Sequence, residues 1–283
     1  MRLVTFTESG RARPGCLAGQ EVVDLSEAGP PSLLSWIEAG EDGLAAARRA
    51  LDSAPRFALD DVRLEAPIAR PPKILAVGLN YADHAAETGR EPPEIPVIFN
   101  KQTTSVNGPF DPIERPRVSE RLDYEGELGI VIGQRCRHVS RDRAPDVIAG
   151  YTVVDDVSVR DWQRRSPTMT MGKSFDTHCP FGPAIVTHDE IGDPHALGLE
   201  THVSGERRQC SNTRELIFDA FDLIEHLSTA FTLEPGDLIS TGTCSGVGAA
   251  MDPPRWLVPG DVVRIEIEGI GAIENPVVDE EDS

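Results

Sequence analysis

The sequence predicts a mixed, β-rich α+β fold with a small N-terminal module, and three observations lead there. Short runs rich in Val, Ile and Leu recur along the chain. Gly- and Pro-rich stretches join several of them, where a doubly wound fold would place amphipathic helices. A Pro-rich segment near residue 70 divides the chain in two. With 283 residues, 39 % of them apolar, there is enough material for a large core and a smaller companion.

In the first part, LVTF (3–6), turn residues around 10–15 and EVVDL (21–25) predict a short meander. Ser32 is placed to cap a helix carrying Leu33, Leu34, Trp36 and Ile37, and an Ala-rich run (44–51) continues the helical character. APIARPP (66–72) then breaks the pattern, so the expected domains are residues 1–70, small and α+β, and residues 71–283. In the second part the strand candidates are KILAVG (73–78), PVIFN (96–100), ELGIVIG (127–133), YTVVDD (151–156), PAIVT (183–187), DLISTGT (237–243) and DVVRIEIEG (261–269). One helix is predicted over 219–231, where Phe221, Leu223, Ile224, Leu227 and Phe231 share a stripe.

Acidic residues outnumber basic ones by 47 to 27, a formal charge of −20, which argues against nucleic acid as a partner. Part of the excess is the tail Asp279-Glu280-Glu281-Asp282, expected to fray. Small anionic substrates remain allowed, since a bound metal reverses the sign of a site locally. No run reaches membrane-span length, and MRLVTFTESG lacks the apolar core of a secretory signal, so no membrane partner and a cytoplasmic location are expected. Cys16, Cys136, Cys179, Cys210 and Cys244 are scattered without a CxxC pair, which predicts mostly buried thiols and no disulfide framework. His138, His178, His188, His195, His202 and His226 form no ligand-spaced cluster.

Four acidic or basic groups could carry chemistry. In DYEGE, Glu125 and Glu127 alternate along an expected strand and share a face, with Gly129 leaving space beside them. Two such carboxylates repel unless solvent, protons or a hard cation intervene; the alternative is a solvated edge strand. Asp155-Asp156 ends YTVV, where one of the pair could supply a third ligand, or could simply bond the backbone of a turn. On a helix, His84 and Glu87 lie at i and i+3, so the carboxylate can orient the imidazole as a water-activating base; an ordinary polar face is the alternative. TGREPPEIP (88–96) follows as a mobile-lid candidate. Lys173, flanked by Gly172 and Ser174, is either a surface cation or an anion-holding lysine. TGTCSGVG (241–248) fits neither GxxxxGK[ST] nor GxGxxG and reads as a backbone-lined loop near small-molecule oxygens.

Taken in order, these segments resemble the fumarylacetoacetate hydrolase family over residues 73–278. GLNYADHAAE looks like its dyad segment, DYEGELGIVIG like its two-glutamate strand, GYTVVDDVSVRDWQ like its third-ligand segment and GKSFDTHCPFGPAIV like its lysine segment. DLISTGTCSGVG and PGDVVRIEIEGIGAIENPV resemble its C-terminal pattern. The resemblance implies a rolled, mixed β-sheet catalytic domain, a small N-terminal domain and a homodimer. It implies Mg2+ or Mn2+ held by Glu125, Glu127 and Asp156, choosing Asp156 over Asp155. His84 and Glu87 become the dyad, Lys173 the cation facing substrate, and Gln163 and Thr243 substrate contacts. The implied reaction is hydrolysis of a carbon–carbon bond in an acylpyruvate-like 2,4-diketo acid. Decarboxylation, isomerisation or lyase chemistry through the same enolate is the alternative, and a non-catalytic binding protein the remote one. Cys244-Ser245 stands where the family commonly has proline after TGT, and Asp155 where asparagine is frequent.

Overall fold

The computed structural model describes residues 1–281. Its N-terminal meander is β1 (Arg2–Glu8), β2 (Arg11–Ala18) and β3 (Glu21–Asp24), each antiparallel to the next. The predicted helix is α1 (Leu33–Glu38), capped as expected by Ser32, whose hydroxyl accepts from the Ser35 N–H. The Ala-rich run forms α2 (Gly40–Ala50), followed by short β4 (Arg56–Ala58) and β5 (Arg63–Glu65).

Past the Pro-rich break come β6 (Ile74–Gly78), α3 (Ala82–Glu87), β7 (Val97–Lys101), β8 (Val106–Asn107), β9 (Ile113–Arg115), β10 (Leu122–Asp123), β11 (Gly126–Ile132), β12 (Ile148–Asp155) and β13 (Ser158–Val159). Two one-turn helices follow, α4 (Arg160–Gln163) and α5 (Thr170–Lys173), then β14 (Cys179–Thr187) and α6 (His188–Ile191). The chain closes with β15 (Gly198–Val203), β16 (Glu206–Asn212), α7 (Ala220–Ala230), β17 (Leu238–Thr243), β18 (Val262–Ile267) and β19 (Gly271–Asp279). Asp219 caps α7 in a reciprocal capping box with Asp222.

One mixed sheet runs β4-β3-β2-β1-β14-β12-β11-β17-β6-β7, with β5 added to β1 and β8 to β14. Residues on both sides of the Pro-rich break therefore share one hydrogen-bonded sheet, joined where Leu3 pairs with Ile185. A second sheet, β16-β15-β18-β19-β9, packs against it. β11 lies between β12 and β17 and is buried along its whole length. Leu128, Ile130 and Ile132 enter the core shared with β15, β18 and α7, while Val131 turns to the opposite face against Trp36 and Ile37. That double burial is why LGIVIG reads as a continuous apolar run.

The acidic tail departs from the expectation of fraying at its start. Asp279 ends β19 and its carboxylate accepts from Arg115, while the Glu280 N–H donates to the Arg115 carbonyl. Asp282 lies outside the described residues. Among the described residues no helix is long and apolar enough to cross a membrane.

Candidate active site and metal centre

The two glutamates are not on a solvated edge. Glu127 is on β11 and Glu125 immediately precedes it; both are buried. Opposite them, β12 ends at Asp155 with Asp156 just beyond it, and the pair divides the two roles considered for it. Asp155 Oδ1 accepts the Glu125 N–H at 2.9 Å, which is the backbone-satisfying role. Asp156 turns toward the glutamates, so that Glu125, Glu127 and Asp156 each offer an oxygen within 4.8 Å of the others.

Each of these three carboxylates has one oxygen held by a donor outside the cluster. Arg160 binds Glu125 Oε1. Lys101 Nζ donates to Asp156 Oδ1 at 2.6 Å. Glu127 Oε2 accepts from the Ser240 hydroxyl and, at 2.7 Å, from the Gly242 N–H. The second oxygens of Glu125 and Asp156 both meet Lys173 Nζ at 2.6 Å. Lys173 is buried and lies 5.0 Å from the centre of the Phe99 ring.

Five buried carboxyls (Asp123, Glu125, Glu127, Asp155 and Asp156) meet three buried cations (Lys101, Arg160 and Lys173). Negative charge is left over. Burial, then Asp156 and Glu125, push the Glu127 carboxyl well above the usual range. Burial pushes Asp155 up to about 7, and its Oδ2 is buried without a hydrogen-bond partner. Burial also acts to raise Glu125, but Lys173 and Arg160 outweigh it and keep that carboxylate ionised. An all-oxygen, buried, electron-rich donor set of this kind fits a hard divalent cation.

His84 and Glu87 face each other across one turn of α3, with Nδ1 and Glu87 Oε2 3.1 Å apart. Asn80 anchors the entry to α3: its amide donates to the carbonyls of Phe218 and Thr241 and accepts the Phe218 N–H. Cys244-Ser245-Gly246 reaches the same helix. The Ser245 hydroxyl donates to Asp83, and the Gly246 N–H donates to Glu87 Oε1 at 2.8 Å. The substitution of Cys244-Ser245 for the expected proline thus leaves the loop latched to the dyad.

The dyad, Glu125, Glu127, Lys173, Gln163 and Thr243 line a single cavity of about 680 Å3. Asp156 is fully buried, is not among the lining residues and is joined to the cavity through Lys173. Gln163 Oε1 accepts from Arg160, and Thr243 is held between the Gly126 carbonyl and the Gln209 amide. Close packing of α5 on α4 requires Gly172, because a Cβ there would stand 2.1 Å from the Gln163 nitrogen. Thr88 and Arg90 of the 88–96 segment line the same cavity.

A family model described as the fumarylacetoacetate hydrolase C-terminal domain matches residues 73–278. The chain belongs to the fumarylacetoacetate hydrolase family. It is 43 % identical to the mitochondrial oxaloacetate tautomerase fahd2 of Xenopus laevis, over 98 % of this chain and 90 % of that one. Among solved structures, a fumarylacetoacetate hydrolase from Exiguobacterium antarcticum superposes with TM-score 0.90 and 41 % identity, covering 99 % of this chain and 100 % of the other. Maleylpyruvate hydrolase from Sphingobium sp. SYK-6, crystallised with manganese(II) and pyruvate, superposes with TM-score 0.84 and 33 % identity over the same shares. The fold expectation is met, and so is the expectation of an enzyme whose acidic triad can hold a divalent metal.

For a fumarylacetoacetate hydrolase family member, four residues of this site carried no role in the sequence reading: Lys101, Asp123, Arg160 and Asp83. Asp123 is buried, accepts the Gly248 and Ala249 N–H groups and pairs with Arg160 Nε at 2.8 Å. The Lys101 signal was available in the alternation Val97, Phe99, Lys101, which puts a lysine on the inward face of β7.

Proposed function

We propose that this chain is a divalent-metal-dependent hydrolase that cleaves a carbon–carbon bond in a small acylpyruvate-like 2,4-diketo acid. The observation that carries the reading is the position of an oriented histidine, His84 with Glu87, in the same cavity as Glu125 and Glu127 of the triad. Glu125, Glu127 and Asp156 hold the metal, which when bound supplies Lewis-acid polarisation of the substrate's 2-oxo group. His84, oriented by Glu87, takes a proton from water, and the new oxygen–carbon bond forms at the distal carbonyl. The bond between that carbon and its methylene neighbour breaks, leaving the electron pair on the methylene carbon as a pyruvate enolate. Lys173 places its positive charge beside the developing anion, and protonation of that carbon completes the reaction. Gln163 and Thr243 direct polar groups at the substrate from the cavity wall.

A second reading, keto–enol tautomerisation of oxaloacetate, is favoured by the Xenopus laevis relative, an oxaloacetate tautomerase whose similarity spans nearly the whole chain. It uses the same residues with His84 moving a carbon-bound proton instead of a water proton.

Product analysis with acetylpyruvate, fumarylpyruvate and oxaloacetate, under Mg2+, Mn2+ or EDTA, tests both. Metal-dependent release of pyruvate and a second acid is the expected result. Faster loss of the oxaloacetate enol without loss of carbon supports the second reading instead. Carbon dioxide from oxaloacetate alone overturns both in favour of a decarboxylase.

A further inference from the structure

We propose that Lys101 is a positioning residue for the metal centre, fixing Asp156 so that only its Oδ2 is presented to the ion. The inference rests on the metal-dependent reading above. Lys101 ends β7 as an inward-facing residue, beyond Phe99 on the same strand face. Its ammonium group and the Asp156 carboxylate are both fully buried, 2.6 Å apart through Oδ1. A weaker contact to the Val157 carbonyl, 3.4 Å, holds the same nitrogen from the other side. Lys101 is not among the residues lining the cavity.

The three ligand carboxylates are organised alike. Each has one oxygen occupied by a donor other than Lys173: Arg160 Nη1 for Glu125, from the cavity wall, and Ser240 with Gly242 for Glu127 and Lys101 for Asp156, none of which lines the cavity. Glu127 is thus held by neutral donors within its own sheet. Asp156 lies past the end of β12, and no backbone donor holds its carboxylate among the described residues. Its orientation depends on two lysines. One of them, Lys173, uses the same Oδ2 that an ion would use. Lys101 is therefore the contact that persists when an ion replaces Lys173 on Oδ2. Partners of this kind hold ligand geometry in metal sites, and their loss typically costs about 10–100-fold in affinity.

Two opposing effects are separable. A purely electrostatic Lys101 would oppose a divalent cation, and its removal would tighten binding. A positioning Lys101 gives the reverse. Mn2+ affinity by titration, followed by the electron paramagnetic resonance signal of free Mn2+, distinguishes them in Lys101→Met. The expected result is a Kd raised about 10–100-fold, with a broadened bound-Mn2+ spectrum. Lys101→Cys alkylated to the aminoethyl thioether, which restores length and charge, should return both toward wild type. If Lys101→Met does not fold, Lys101→Gln is measured by the same titration. Unchanged or tighter Mn2+ binding in a folded variant, or no rescue by aminoethylation, overturns the proposal. Absence of Mn2+ binding by the wild-type protein would instead overturn the metal reading itself.

Discussion

Gly246 donates its backbone N–H to Glu87 Oε1, and the other oxygen of that carboxylate stands beside His84 Nδ1. The glycine-rich loop thus holds the group that orients the imidazole. Glu87→Gln keeps the shape and removes the charge. It should lower kcat by about 100-fold, within the usual range for general base catalysis, with KM and Mn2+ affinity little changed. Gly246 has φ +103°, and a Cβ there would lie 2.0 Å from the Arg208 carbonyl oxygen. Gly246→Ala should therefore reproduce the kcat loss from outside the dyad. Full kcat in both variants would remove His84–Glu87 from the mechanism.

The triad makes a prediction independent of turnover. Glu127→Ala removes a proposed ligand whose carboxyl is raised by burial and by its acidic neighbours. Mn2+ titration should show binding weakened by at least about 100-fold, at the upper end of what losing even a supporting group costs. Stability without metal should hold or rise, because the cost of burying that carboxyl, and then of placing it beside Asp156 and Glu125, is removed. Wild-type affinity in this variant would place the ion elsewhere.

Arg160 bridges Asp123 and Glu125 inside the protein. Burial acts to lower the Arg160 guanidinium, but the two carboxylates outweigh it and keep it charged. Replacing it with Met strands two buried carboxylates, and urea denaturation should show a loss of about 3–5 kcal/mol. A loss below about 1 kcal/mol would mean that the pair is hydrated or rearranges.

His178 gives a pH dependence. It is fully buried, its Nε2 donates to the Glu114 carbonyl, and its Nδ1 has no partner. Burial lowers its pKa to about 3. The unfolded chain takes up a proton near the ordinary value of about 6.5 while the folded chain does not. The stability present above pH 6.5 is thus lost as pH falls toward 3. Between pH 7 and 4.5 this one group should cost about 2.5 kcal/mol. Urea midpoints of wild type and His178→Asn at the two pH values measure it: the variant should lose less on acidification, and parallel losses would refute the assignment.

Arg90 and Arg164 reach the cavity with no acidic partner among the described residues. Arg164→Ala should raise KM about tenfold for fumarylpyruvate, whose acyl part ends in a carboxylate, and leave acetylpyruvate unaffected; tenfold corresponds to one charged hydrogen bond of about 1.4 kcal/mol. Equal effects on both substrates would assign Arg164 a structural role.

The legible parts of the sequence are those where side-chain period and burial agree. LGIVIG, the Ser32 and Asp219 caps and the 219–231 stripe are set by local chemistry, and the structure follows them. β15 and β16 were not anticipated. β15 does alternate inward, but through Leu199, Thr201 and Val203, and buried Thr201 breaks an apolar pattern. In the site, Glu125–Glu127 and His84–Glu87 are neighbours in sequence, so their spacing speaks. Lys101 with Asp156, and Asp123 with Arg160, meet only through the tertiary fold, across tens of residues of sequence. A lone inward lysine is a signal that something acidic must lie opposite, without saying what.

The join between β1 and β14 reaches further than geometry. β14 lies beside β12, the strand that delivers Asp156. Removing residues 1–65 would strip β14 of its neighbour and leave bare N–H and C=O groups one strand away from the catalytic floor. The amino-terminal segment is in this sense a sealant, protecting the interior sheet from sticking to a stranger's strand during synthesis and afterwards.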